Sequence, residues 1–473
     1  TSNPVSFTHV LTAGGRRVAE GRRDPLVLWS LNVARGRDAN LAFSEPRKRH
    51  LTMETPGTGT MRGWTVVLRA AWSPSCGRAF STRRPERVHV RCGSAGHVAI
   101  EFVHAFTVYR RVRPGLADAL DSLFNAPESS PESALLIHLP PFPSGTGVET
   151  GLPGFLQHLP AASINYRWSA TSPAMGQNGT SVPLCWPTPT HDTAFAFAWL
   201  VENLAPPKNG RRDIYVYGSH LGASLATSLA LTEAHSHARF GVRGVIAYNG
   251  IYNWTMFLPD HRVNKPPTRS KRAVTPPQPA EGSHLHRLQD EMPGLFDDPS
   301  NLFDPFASPS LFFHGPGLLV PRSFSMSMED AANIDRLTKR DDAPVVPLKT
   351  PRKSHLIFPP RKSALKIPET LLLYDSQPPP PPPSRRTKIR RTRRAKTTGN
   401  TFEAQAEEFA ELMRRSVDVV ELKERSKWDE DMEDKEDEAR RRVQLVDVGP
   451  ETKSVELSDG GQEAALTWLQ HRL

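Results

Sequence analysis

Short apolar runs separated by polar, glycine or proline turns recur from about residue 88 onward. Val88–Val90 and Val98–Val108 predict the first two strands, split by the turn from Gly93 to Gly96. Ala134 to Leu139 is a compact apolar run halted by Pro140-Pro141, the pattern of a buried parallel strand. Between these, Arg110 to about Ser130 carries Leu116, Ala117, Leu120 and Leu123, a short helical or looped excursion. A weak helical stretch at Leu152–Leu159 leads to a strand at Ala162–Tyr166, and Thr190–Glu202 predicts a helix whose Phe195, Trp199 and Leu200 cover the sheet. Asp213–Tyr217, His220–Thr232 and Val245–Tyr248 repeat strand, helix, strand. Such alternation predicts an α/β class with a mostly parallel central sheet flanked by helices on both faces.

The alternation fails over 252–366, where Phe257, Phe303, Phe306, Leu311, Phe312 and Phe313 stand among prolines and charges. That segment reads as a lid or cap insertion with disordered parts. Ile367–Tyr374 restores a strand, with Leu371-Leu372-Leu373 running to Asp375. Residues 376–400 form a Pro-rich and basic linker: Pro378 to Pro383 favours extended polyproline geometry, and a dense tract of positive charge follows. Thr401–Val420 is an amphipathic helix through Phe402, Phe409, Leu412 and Met413; 421–440 is a charged insertion; Val443–Val448 and Gln462–Leu473 are the last strand and helix. One domain over 86–473 follows, preceded by a disordered extension over 1–85.

Composition narrows the classes. With 38% hydrophobic residues and 45 prolines in 473, the chain can bury a sizeable core and still devote much length to loops. No apolar stretch approaches the length of a membrane span, so no transmembrane segment is expected. Cys76, Cys92 and Cys185 have neither metal spacing nor an even-numbered disulfide framework, which favours a reducing compartment. His235 and His237 read as solvated loop residues, and no motif for a metal or cofactor is present. From Met61 to Arg84 the chain bears five arginines and no acid, interspersed with Trp64, Val66, Val67, Leu68 and Trp72. This is the physical type of a mitochondrial presequence and predicts the matrix, with the cytoplasm as the alternative. Met53 and Met61 both qualify as the start.

The net charge of +10 is partly local. Arg385, Arg386, Lys388, Arg390, Arg391, Arg393, Arg394 and Lys396 form a tract able to contact phosphates, so RNA is one candidate partner and a protein another. The tract lacks the aromatic residues of a base-stacking surface. A solvated insertion is the plainer reading.

The chemically most informative stretch is Tyr215 to Ala226. An apolar strand enters Gly218-Ser219-His220-Leu221-Gly222 and leaves as a small-residue helix. This has the frame of a nucleophile elbow, G-x-S-x-G, with histidine at the position of the serine.

On these residues the chain resembles the hormone-sensitive-lipase-like branch, fold-3, of the α/β-hydrolases. Asn165-Tyr166-Arg167, Trp186-Pro187-Thr188-Pro189 and His191-Asp192 leading into Phe197–Leu200 resemble the family's Y-R-L-A-P…F-P…E-D…W-L stretch. Gly218–Ala226 resembles G-D-S-A-G-G-N-L-A, with Ser219 at the aspartate, His220 at the serine and Ser224 at the asparagine. YGSHLGASLATSLALTE and YNGIYNWTMFLPD look like an uncharacterised fungal group with a degenerate elbow. The resemblance implies an α/β-hydrolase fold over roughly 88–473 and an ancestral carboxylic-ester chemistry.

Departures from the family pattern decide the expected activity. Acyl transfer needs a nucleophile, a base, an acid that holds the base, and oxyanion donors. His220 replaces the nucleophile; Ser219 is one residue early and faces away; Ser224 lies one helical turn on, too deep for a carbonyl. The loop resembling H-G-G-G reads His138-Leu139-Pro140-Pro141-Phe142-Pro143-Ser144-Gly145, where proline offers no N–H, and His138 and Gly145 are its remnants. Gly449 to Gly461, where the family places its base, contains no histidine. Asp375 either retains the acid position or is a polar strand-end residue. Nucleophile, base and donors depart together, which predicts a non-catalytic protein with a binding or assembly role. The alternatives are an ester hydrolase with a relocated nucleophile and an RNA- or ribosome-associated structural protein of mitochondria.

Overall fold

The computed structural model describes residues 86–93, 96–103, 134–143, 152–157, 159–169, 174–175, 181–182, 184–206, 210–264, 279–315, 319–338, 356–376, 399–423 and 435–473. All of them belong to one unit, Arg78–Leu473. The Arg-bearing segment at 61–84, the excursion at 110–130, Gly145, the proline run and the basic tract from Arg385 to Lys396 lie outside the described residues.

Eight strands form one sheet: β1 (Glu86–Arg91), β2 (His97–Val103), β3 (Leu135–Leu139), β4 (Ala161–Asn165), β5 (Arg212–Ser219), β6 (Phe240–Tyr248), β7 (Glu369–Ser376) and β8 (Val443–Pro450). Their spatial order is β1-β2-β4-β3-β5-β6-β7-β8. Strand β2 is antiparallel to β1 and β4, and every other neighbouring pair is parallel. This order, with one reversed second strand, is the α/β-hydrolase fold. Strands β3, β5 and β6 are buried nearly end to end, as the continuous apolar runs of a sheet covered on both faces require.

Helices α1 (Thr188–Asn203) and α2 (Leu221–Glu233) cover one face, where Ile214 and Val216 of β5 meet Leu221, Leu225 and Leu229 of α2 in a single apolar cluster. Helix α7 (Asp459–Gln470) covers the other face, bringing Ala465, Trp468 and Leu469 to Tyr215, Tyr217 and Ile246. Between β6 and β7 the chain supplies α3 (His284–Phe296) and α4 (Met328–Thr338); α5 (Phe402–Val417) and α6 (Lys435–Arg442) follow β7. Phe257, Phe312 and Phe313 of the insertion point into the core, whereas Ile334 and Leu337 on α4 are exposed. The insertion is bolted down: the Trp168 indole and the Trp186 backbone N–H both donate to the Leu295 carbonyl at 2.9 and 2.8 Å, and Phe296 packs on Trp168 and Trp254.

Helix α5 shows why the amphipathic pattern folds as it does. Phe402, Ala406, Phe409, Ala410, Met413 and Val417 share one buried face, and Thr401 caps the first turn by accepting the Ala404 N–H at 3.0 Å. Gln405, buried on the same helix, accepts the N–H groups of Tyr252 (3.1 Å) and Asn253 (2.8 Å) and donates to the carbonyls of Asn253 (3.1 Å) and the Asn400 side chain (2.9 Å). Replacing Gln405 by leucine strands those four groups inside the protein. Gln405→Leu is expected to cost about 3 kcal/mol in urea unfolding; a loss under about 1 kcal/mol would show that the turn after β6 does not depend on this side chain.

Candidate functional site

The strand order reverses direction between β3 and β5, a topological switch point at the carboxyl ends of the parallel strands, the place where open α/β sheets form their ligand crevice. The elbow sits there. His220 lies between β5 and α2 with φ 50° and ψ −115°, the strained left-handed geometry of a nucleophile elbow, held by its N–H to the Tyr248 carbonyl at 2.9 Å. The flanking glycines are sterically required. A Cβ on Gly218 would overlap the Gly222 carbonyl, and one on Gly222 would overlap the carbonyls of Leu139 and Pro140.

The His220 ring is 0% exposed and neither ring nitrogen has a hydrogen-bond partner. Phe142 (5.6 Å between ring centroids), Tyr248 (5.7 Å), Phe402 (5.9 Å) and His284 (5.1 Å) surround it, the last three edge-to-face. Burial, reinforced by the nearby His284 and Arg287, pushes the imidazole pKa down to about 3, so the ring is neutral at physiological pH. No substrate carbonyl reaches this position without first displacing an aromatic wall.

The oxyanion element is closed by its own loop. In an active hydrolase the N–H of the residue after the nucleophile points at the oxyanion; here the Leu221 N–H donates to the Pro141 carbonyl at 3.2 Å. Tyr166 anchors that loop by donating its hydroxyl to the Pro140 carbonyl at 2.8 Å. The next residue, Phe142, places its ring against His220, and the Arg287 guanidinium of α3 lies 4.6 Å above Phe142.

His138 does not line the elbow. It lies within β3 beside Ser163, with Nδ1 2.9 Å from the serine Oγ, and stacks on Tyr217 on the sheet face that carries α7. Burial pushes its pKa down to about 3. Ser219 lies on that same face, where its hydroxyl meets the Tyr217 phenol. Ser224 donates its hydroxyl to the Ile251 carbonyl at 2.5 Å, a hydrogen bond that ties α2 to the turn after β6. Neither serine is brought to the attack position or to an imidazole.

Asp375 lies near the end of β7, and its carboxylate is engaged by two neighbours. It accepts the Tyr248 hydroxyl (2.9 Å to Oδ2) and the Asn249 amide (2.9 Å), and its own N–H donates to the Asn249 Oδ1 at 2.9 Å. Burial raises its pKa, opposed by the bonds from Asn249 and Tyr248. The loop after β8 contributes Glu451, which accepts the His284 backbone N–H at 2.9 Å and so fastens the start of α3 over the crevice.

Sequence reasoning missed His284, Tyr248, Asn249 and Glu451. The Asn249-Gly250 pair was a readable turn signal, since asparagine tolerates the φ of 48° found there. A lone histidine at a helix start carried no signal.

No family model matches the chain, and no curated protein is similar to it in sequence. Among solved structures it is similar to carboxyl esterase 2 of the mycorrhizal fungus Tuber melanosporum, at 12% identity over 95% of this chain and 98% of that one, with a TM-score of 0.39. A hyperthermophilic esterase of the archaeon Pyrobaculum calidifontis aligns at 13% identity over 81% of each chain, TM-score 0.37. EstE1, a thermostable carboxylesterase from a metagenomic library, aligns at 12% identity over 82% of this chain and 87% of that one, TM-score 0.38.

Proposed function

We propose that this α/β-hydrolase-fold chain is non-catalytic and serves in binding or assembly. The observation that carries the reading is the sealed elbow: a neutral, caged imidazole stands where the attacking hydroxyl belongs, and the adjacent Leu221 N–H is already bonded to Pro141. Loss of one oxyanion donor alone costs about 2.7–4 kcal/mol of transition-state stabilisation. The basic tract and the Arg-bearing segment at 61–84 support docking to a phosphate-bearing partner and a mitochondrial destination as parts of the same reading.

The test is hydrolysis of short p-nitrophenyl esters together with fluorophosphonate labelling. We expect no turnover above the buffer rate and no label on Ser219 or Ser224. His220→Ser is expected to stay unlabelled as well, because the Leu221 N–H is already bonded to Pro141 and the stretch from Gly449 to Gly461 carries no histidine to take the serine proton. Ester hydrolysis abolished by His220→Ala, or a label on either native serine, would return the chain to the carboxylic ester hydrolases with a rearranged site.

A further inference from the structure

We propose that the amino end of the sheet, opposite the elbow, is a docking face for the phosphate backbone of duplex RNA. The proposal rests on the binding reading above and gives it a face on the folded chain. Strands β5 to β8 are mutually parallel, so all four start at this end, and they start among cations. Arg211 and Arg212 open β5, Arg239 precedes β6, Lys366 precedes β7, and Arg440 to Arg442 precede β8. Hydrogen bonds join these groups into one band. The Arg212 N–H donates to the Arg239 carbonyl at 2.9 Å, and the Lys366 N–H donates to the Ala234 carbonyl, at the end of α2, at 3.0 Å. Farther along, Ser416 at the end of α5 bonds the Phe358 carbonyl, just before Arg361-Lys362, and Arg414 donates to the Val443 carbonyl at 2.9 Å. With neighbouring strands about 4.8 Å apart, the band spans about 15 Å of sheet.

Part of this charge is structural. Helices α2, α5, α6 and α7 all end here, where the helix dipole favours cations, and Arg243, Arg414 and Arg472 donate to the carbonyls of His235, Val443 and Trp468. Asp213 pairs with Arg243, Glu369 with Arg472, Glu421 with Arg442 and Glu438 with Arg441. Beyond these contacts stand Lys362, Lys366, Arg415 and Arg440, all exposed. The solvent-facing acids Glu202, Asp418 and Asp437 are fewer. Burial raises the Glu233 pKa to about 7, which thins its charge near neutrality. Burial and then the Arg440 charge lower the Arg414 pKa, so the cluster repels itself and an anion relieves it.

The opposite end of the molecule has the opposite sign. Helix α3 and the turn after it carry Asp290, Glu291, Asp297 and Asp298, and the first turns of α5 carry Glu403, Glu407 and Glu408. A polyanion is repelled there and steered to the amino end. Arginine forks match phosphate oxygens. Among the described residues the cations sit on strand starts and helix ends, with no projecting helix or ribbon to enter a major groove. The shallow minor groove and flanking phosphates of an A-form duplex suit such a face.

The full chain is titrated into a fluorescein-labelled RNA duplex of about 20 base pairs, and anisotropy is read over a series of KCl concentrations. The combined variant Lys362→Gln, Lys366→Gln, Arg415→Gln and Arg440→Gln removes four exposed charges and leaves the ion pairs in place, so the fold is retained, as circular dichroism checks. It is expected to weaken binding by about tenfold or more at about 0.1 M KCl, and to flatten the slope of log affinity against log salt by about 2–3. Arg336→Gln with Lys453→Gln, exposed away from this end, is expected to bind as the parent does. Unchanged affinity and slope in the four-site variant overturns the face. If neutralising the tract from Arg385 to Lys396 then abolishes binding, the binding reading stands and belongs to that tract alone. A parent chain without salt-dependent RNA binding also overturns the face, as does a chain that ignores RNA but needs the four cations to bind phosphatidylserine vesicles. The ester assay above decides the non-catalytic reading independently of each of these results.

Discussion

Asp192→Ala is expected to lower stability by about 3–5 kcal/mol, the range for removing one partner of a buried ion pair. Asp192 is 0% exposed on α1 and accepts three bonds from one residue: the Arg167 backbone N–H (2.9 Å), Nε (2.9 Å) and Nη2 (2.6 Å). The planar guanidinium matches the carboxylate as a fork, which ties the exit of β4 to the start of the helix that covers it. Arg167 keeps 20% of its side chain in solvent, so water recovers part of its charge and the lower end of the range is the better expectation. The same carboxylate stands beside Cys92, whose thiol burial and then Asp192 push up to about 12. Asp192→Asn retains the shape and two acceptor sites without the charge, and should fall about midway. Equilibrium urea unfolding reads both values. A change below about 1 kcal/mol in the alanine variant would mean that packing of α1, not the fork, holds this edge of the sheet.

Arg167 and Asp192 also mark how far the chain could be read before its structure was known. Both lie in the stretches that resemble family motifs, yet nothing in linear order says that they bond. The sheet itself was legible because burial on both faces leaves uninterrupted apolar runs: Ala134 to Leu139 became β3, and Leu371 to Leu373 the centre of β7. The elbow was legible because two glycines flank one residue at a strand-to-helix turn, and both are required by contact. Its helix begins one residue later than the pattern predicts, at Leu221, since His220 itself takes the strained turn. Within the insertion, prolines obscured the period. Even so, Leu285, Leu288, Met292 and Leu295 recur at helical spacing and are the buried face of α3. What no local pattern carries is closure. The contacts of His284 with His220 and Glu451 join residues brought near only by the finished fold.

Closure explains why the departures from hydrolase pattern belong together. Each residue at a position where the resemblance implies a triad or oxyanion part has a structural partner here. The Leu221 N–H holds the proline loop, the Asp375 carboxylate holds Tyr248 and Asn249, and Glu451, in the loop where a base would stand, holds the cap. Under the proposed reading, a hydroxyl at position 220 would meet a Leu221 N–H already bonded to Pro141 and an Asp375 carboxylate already bonded to Tyr248 and Asn249. The Glu451 contact with the start of α3 makes the strand ends a joint between α3 and the loop after β8, which supports the non-catalytic reading proposed above.

That joint makes Gly222 the position where the smallest change has the largest consequence. Gly222→Ala is expected to cost about 3 kcal/mol or more, or to prevent folding at 37 °C. The added Cβ would overlap the carbonyls of Leu139 and Pro140, which are main-chain atoms of a central strand and of the loop that Tyr166 anchors. Flexible side chains can yield to a methyl group; these carbonyls can move only if β3 or the elbow moves, and Gly218, itself pressed on the Gly222 carbonyl, blocks the second route. Gly460→Ala is the internal control. It lies in the first turn of α7 with nothing within 4 Å of its Cβ, so alanine should stabilise it by about 0.4–1 kcal/mol through the unfolded chain. Opposite signs at the two glycines would show that close backbone packing at the elbow sets the requirement for glycine at 222. A neutral Gly222→Ala would mean that strand and helix stand farther apart than the structure has them, and that the sealing of the elbow loosens with them.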